Sequence, residues 1–126
     1  MPVDGIIRAD GRRLTIYGLM LPARAKACRR KDGERWACGL RALVALHNLV
    51  THSSMICGVQ DGAAPTPARC KIGPIDVAAT MLRGGWGVLA PGTTDQVLVE
   101  AQAAAQAAQV GIWSDTASAA GDELRQ

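Results

Sequence analysis

A chain of 126 residues and 13.2 kDa accommodates one domain around one core, since compact domains run about 100 to 150 residues. With 48% hydrophobic and 20% charged residues it has more apolar surface to bury than a disordered chain, and polar residues interrupt its helical stretches, which excludes disorder and a membrane span. The net charge of +3 is lopsided: residues 1–41 hold ten Lys/Arg against four acids, and the remainder four against seven. The first third therefore suits a polyanion or an acidic protein face, the plain alternative being a solvated loop with dispersed charge.

In chain order, residues 3–9 and 12–19 read as two strands around Asp10-Gly11, a pair that supplies the left-handed backbone of a hairpin. Pro22 ends the second strand, and Arg24 to Gly33 forms a basic, turn-rich loop containing Arg24, Lys26, Arg29, Arg30 and Lys31. The spacing of Trp36, Leu40, Leu43, Val44, Leu46, His47 and Val50 predicts a first helix over 34–50 with these residues on its apolar face. Residues 53–59 and 67–72 are β-like and flank a Gly/Ala/Pro loop, predicting a second hairpin. Asp76 starts a short helix over 76–83, which Gly84-Gly85 stops. Residues 86–89 are extended. Thr93 with Gln96 has the form of a capping box for a third, alanine-rich helix over 94–110. In that helix Val97, Leu98, Val110 and the alanine face press on a neighbour. Gly111 ends it, Ile112-Trp113 folds back onto the core, and residues 114–126 form a frayed tail. Trp36, Trp86 and Trp113 are assigned to packing.

The four cysteines, Cys28, Cys38, Cys57 and Cys70, have spacings that match no zinc pattern, which favours disulfides and predicts no metal and no cofactor. Adjacent pairing would close a short loop at 28/38 and staple the segment around 57 to that around 70. Disulfides imply a periplasmic or secreted domain. The start Met1-Pro2-Val3-Asp4 has no charged-then-apolar signal region, so the alternative is a cytoplasmic protein with free thiols. Outside the basic loop the donors and acceptors are Asp4, Asp10, Asp76, His47 and His52. The two histidines are five residues apart and do not share a helical face, so both read as structural and no catalytic constellation converges.

Several local features share one order: Val3-Asp4-Gly5; Gly11-Arg12-Arg13-Leu14; Gly18 before Pro22; Trp36-Ala37-Cys38-Gly39-Leu40-Arg41-Ala42; Ala68-Arg69-Cys70; Leu82-Arg83-Gly84-Gly85-Trp86; and Gly111-Ile112-Trp113. Together they resemble the staphylococcal nuclease-like (thermonuclease) family, especially its secreted bacterial members with paired cysteines, over about residues 3–113. The resemblance implies an α+β fold, a five-stranded OB-type β-barrel with about three packed helices in residues 1–113. It also implies a catalytic apparatus that this chain lacks. Active members begin Asp-Gly-Asp-Thr, where this chain has Asp4-Gly5-Ile6-Ile7, so Ile6 replaces a calcium carboxylate. They continue Arg-Leu-x-x-Ile-Asp-x-Pro-Glu; here Thr15 stands for the phosphate-clamping arginine, Met20 for the second metal carboxylate and Ala23 for the general base. Pro65 stands near their last catalytic arginine, and Ala90 and Thr93 replace tyrosines after the Gly-Trp motif. A shifted register would recover one arginine, Arg13 or Arg69, without restoring the set.

Phosphodiester hydrolysis needs a metal or arginine clamp for the developing charge and a base to position water. The resemblance thus implies a catalytically inactive domain whose old cleft, lined by Ile6, Met20 and Leu21, is apolar, and which serves as a protein-binding or structural accessory subunit, alone or in a larger complex. Those side chains could equally pack inward and fill the vacated site. Two alternatives stand beside it: a non-cleaving nucleic-acid binder using the basic loop 24–31, and a phosphodiesterase with non-standard site residues.

Overall fold

The structure, a computed structural model, describes residues 7–9, 12–30, 32–51, 53–59 and 66–114. Its elements follow as β1 (Ile7–Ala9), β2 (Arg12–Ile16), β3 (Leu19–Met20), β4 (Cys28–Arg29), β5 (Arg35–Trp36), α1 (Cys38–Val50), β6 (Met55–Val59), β7 (Thr66–Ile72), β8 (Ile75–Asp76), α2 (Val77–Arg83), β9 (Val88–Leu89) and α3 (Gln96–Ala108), closed by a 3₁₀ turn at Gly111–Ser114.

Both expected hairpins form. Strand β1 runs antiparallel to β2 with Ile7 opposite Leu14, although the Asp10-Gly11 turn itself lies outside the described residues. Strand β6 runs antiparallel to β7 with Cys57 opposite Cys70. Strands β2 and β7 pair in parallel, Ile16 opposite Ala68. The result is a five-stranded sheet of order β1-β2-β7-β6 with β8 on β7. No pairing among the described residues closes it into a barrel; those residues form an α+β fold of several sheets and three helices.

The second strand does not run through to residue 19 as its composition suggests. Gly18 takes φ +79°, a left-handed conformation that an L side chain resists, and the chain turns at Tyr17-Gly18. Strand β3 then leaves the sheet to pair with β9, Leu19 opposite Leu89. The Gly18 carbonyl accepts the Ala90 N–H at 2.8 Å.

The first helix starts later than its periodicity suggests. Arg35 and Trp36 belong to β5, which pairs with β4 so that Cys28 faces Trp36. The Cys28–Cys38 disulfide and the Arg30 N–H to Glu34 carbonyl bond commit this stretch to a ribbon. The buried face of α1 is Cys38, Gly39, Ala42, Leu43 and Leu46, rotated from the expected stripe, so that Leu40 and Val44 are each 39% exposed. Helix α2 starts as expected: the Asp76 carboxylate accepts the Ala79 N–H at 3.1 Å. At its end Gly85, at φ +75°, supplies the left-handed residue.

Helix α3 is capped by Asp95 rather than by Thr93, because the Asp95 carboxylate reaches the N–H groups of Val97 and Leu98 at 3.0 and 3.3 Å. It buries Leu98, Ala101 and Ala105. Val97 and Val110, expected at this contact, are exposed. The main core joins Leu14, Ile16, Leu46, Ala68, Cys70, Val77, Met81, Leu82 and Leu98. A smaller cluster joins Cys28, Cys38, Val88, Ala105, Ile112 and Trp113, so Ile112-Trp113 does fold back. Trp113 is buried, whereas Trp36 and Trp86 are only half-buried. The expected tail beyond Ser114 lies outside the described residues.

Candidate functional site

The early departure of β3 from the sheet opens a pocket of about 440 Å³ between β2, β3, the loop at residues 21–24 and the inner face of α1. Thr15 enters from β2, Met20 from β3, Ala23 and Arg24 from the loop, and Leu43 and Leu46 form the floor. Three positions identified through the family resemblance, Thr15, Met20 and Ala23, thus converge on one cavity. The other two, Ile6 and Pro65, lie outside the described residues. Among the described residues the lining contains no carboxylate, imidazole or thiol; Thr15 offers a hydroxyl, and Arg24, exposed, is the single charged side chain of that set. Such a wall can hold an apolar group but supplies neither a base for water nor an anionic ligand set for a hard cation.

The loop that borders the pocket is held tightly against α1. The Gly39 N–H donates to the Lys26 carbonyl at 3.1 Å, and a Cβ on Gly39 would meet the Ala23 carbonyl oxygen and lie 2.8 Å from that of Arg24. Gly39→Ala is therefore expected to destabilise the fold by about 2 kcal/mol through overpacking and to displace Ala23 and Arg24. Urea denaturation followed by tryptophan emission tests this; an unchanged midpoint would contradict the packing.

Part of the expected basic loop is strand β4 of the β4–β5 ribbon. Arg24, Arg29 and Arg30 are exposed and Lys26 is half-buried, while Lys31 lies outside the described residues. Arg29 is directly opposite Arg35 across the ribbon. The Arg30 guanidinium lies 4.8 Å from the centre of the Trp36 ring, whose other neighbour is Trp86 at 6.3 Å in an edge-on arrangement. None of these cations pairs with a described carboxylate. On α1, His47 meets the Thr51 hydroxyl, with Nδ1 at 3.1 Å. His52, Asp4 and Asp10 lie outside the described residues.

Arg69 has a role that local sequence patterns do not reveal. From β7 its Nε donates to Asp76 at 2.6 Å and its Nη1 to Asp95 at 2.5 Å, joining the carboxylates that cap α2 and α3. The hydrogen bond to Asp95 is the main reason the guanidinium pKa rises further above its ordinary value, against an opposing effect of burial. The same bond is the main reason the Asp95 carboxyl is held below the ordinary aspartate value. Arg69 is therefore committed to structure, and Arg13 is exposed on β2 away from the pocket lining.

Disulfides are formed as expected, and the structure pairs neighbours in sequence: Cys28–Cys38 with Cα atoms 5.6 Å apart and Cys57–Cys70 with Cα atoms 4.0 Å apart. They are consistent with an oxidising compartment. No helix among the described residues is long and apolar enough to cross a membrane. Comparison with models of known families and with curated proteins finds no match to the chain.

Proposed function

We propose that this chain is a staphylococcal nuclease-like domain without nuclease activity, retained as a protein-binding or structural accessory subunit in the periplasm or outside the cell. The observation that carries the reading is the convergence of Thr15, Met20 and Ala23 on one pocket whose described lining holds no carboxylate. A phosphoryl-transfer site needs charge stabilisation and a base at the place where these side chains stand. The finer fold in this reading is the five-stranded OB-type barrel; a five-stranded sheet with helices packed on it supports that assignment. The two disulfides support the compartment.

A second reading, nucleic-acid binding without cleavage, draws on the exposed Arg24, Arg29 and Arg30. One paired experiment separates the readings: cleavage of single-stranded DNA and RNA with calcium, magnesium or EDTA, alongside oligonucleotide anisotropy across a salt series. The expected result is no cleavage and no tight binding. Metal-dependent cleavage would establish a phosphodiesterase with non-standard residues, and tight, salt-sensitive binding without cleavage would favour the second reading.

A further inference from the structure

The rotation of α1 leaves an apolar surface on its outer side. Leu40, Val44 and Ala45 line a groove of about 380 Å³ against Trp86, with Arg41 and Asn48 at its edges. Leu40 and Val44 lie one helical turn apart, so they form a continuous apolar step. Trp86 connects this groove to the basic ribbon through its edge-on contact with Trp36, over which the Arg30 guanidinium lies. The groove is thus apolar at its centre and positive at its margin, with Arg41 on one side and Arg30 one ring away.

The charge distribution around the groove narrows the occupant. Arg41 lines the groove and Arg30 lies over the Trp36 ring that abuts Trp86. Both are exposed, and neither pairs with a described carboxylate. An anionic partner would supply the counter-charge these two cations lack. A nucleic acid fits poorly: the Trp36 ring is already covered by Arg30 and abutted by Trp86, and Leu40 and Val44 have nothing to offer a phosphate. A lipid surface fits poorly as well, since the apolar groups line a concavity and both indoles are half-buried. An apolar side chain flanked by carboxylates fits both the groove and its margin.

We propose that this groove docks an acidic, amphipathic segment of a partner protein, its apolar anchor seated on Leu40, Val44 and Trp86 and its carboxylates facing Arg30 and Arg41. The proposal rests on the protein-binding reading given above and identifies the surface and the chemistry of the partner. The test selects a phage-displayed library of random peptides of about twelve residues against the full chain with its disulfides intact. In parallel it uses Val44→Glu, Val44→Ser and the double variant Arg30→Glu/Arg41→Glu. All three change exposed side chains, and circular dichroism verifies their folding. The expected result is enrichment of peptides with Asp or Glu around Leu, Ile, Phe or Trp. Their affinity, read by anisotropy, should fall at least about tenfold in Val44→Glu and in the charge-reversal variant, and less in Val44→Ser. No enrichment, enrichment of basic or uncharged peptides, or affinity that survives Val44→Glu would overturn the proposal. So would Val44-dependent binding to phosphatidylglycerol vesicles or to an oligonucleotide in place of peptide. Nucleic-acid cleavage by the same preparation would overturn the inactive-domain reading alone, whereas failed peptide selection without cleavage would remove only this surface.

Discussion

Arg69→Met is expected to destabilise the fold by about 2 kcal/mol, the range for losing hydrogen bonds made to charged groups. Urea denaturation with tryptophan emission measures it. The expected cost follows from how two carboxylates divide their work. One Asp76 oxygen accepts the Ala79 N–H while the other takes Arg69 Nε. One Asp95 oxygen accepts the N–H groups of Val97 and Leu98 while the other takes Arg69 Nη1. Arg69 therefore holds the starts of α2 and α3 against β7. Without it both carboxylates lose their shared cation, and the start of α3 loses this tie to the sheet, while Asp76 keeps its strand pairing with β7. Arg69→Lys should rescue only part of the loss, because an ammonium lacks the planar fork that spans two acceptors. A change below about 0.5 kcal/mol, the scale of exposed ion pairs, would show that the bridge is ornamental to stability.

The pH dependence has a definite sign. Folding lowers the Asp95 pKa below its ordinary value of 3.8, so its contribution is complete above that value and is lost as pH falls through the lower, folded value. Stability measured in an acid series should decline below about pH 4, and more shallowly in Arg69→Met, where the largest cause of the shift is gone and the smaller effect of the Leu98 and Val97 N–H groups remains. Equal slopes in the two proteins would disconnect Asp95 from Arg69.

How much of this arrangement is legible in the sequence depends on the range of the interactions. Asp76 and Gly85 act within one helical turn, and α2 could be placed from them directly. The hairpins, likewise, are local. The start of α1 was obscured because Trp36, Leu40, Leu43 and Val44 have helical spacing, while the pairing of Cys28 with Trp36 and the bond between Cys28 and Cys38 act across the intervening loop. Asp95 took the cap from Thr93 because a single carboxylate reaches two N–H groups and Arg69 besides. The Arg69 bridge had no local signature: its partners are 7 and 26 residues away. For the pocket, the resemblance nominated Thr15, Met20 and Ala23 individually, but their convergence depends on the turn at Gly18 that sends β3 out of the sheet. The groove beside Trp86 is not legible because Leu40 and Val44 share helical spacing with the buried Leu43, while Cys38, Gly39 and Ala42 take the inner face.

Removing the Cys57–Cys70 bond by replacing both cysteines with alanine should cost about 3 kcal/mol, the chain-entropy estimate for a loop of about 15 residues. The sequence separation here is 13. The loss has a specific location. Among the described residues strand β6 lies at the end of the sheet order and pairs with β7 alone; its Ile56 is 79% exposed, while Met55 and Cys57 pack partly buried against the core. Cys70 is buried in the main core, so the bond ties an edge strand to the strand at the centre of the sheet, which pairs with β2, β6 and β8. Hydrogen exchange should therefore accelerate at the β6 amides more than at those of β2. The Cys28→Ala/Cys38→Ala variant should instead loosen the β4–β5 ribbon, shift Trp36 emission and weaken peptide binding at the neighbouring groove while leaving β6 protected. If both variants loosened the same amides equally, the two disulfides would be acting only through the unfolded chain, and the assignment of one to the sheet edge and the other to the basic ribbon would fail.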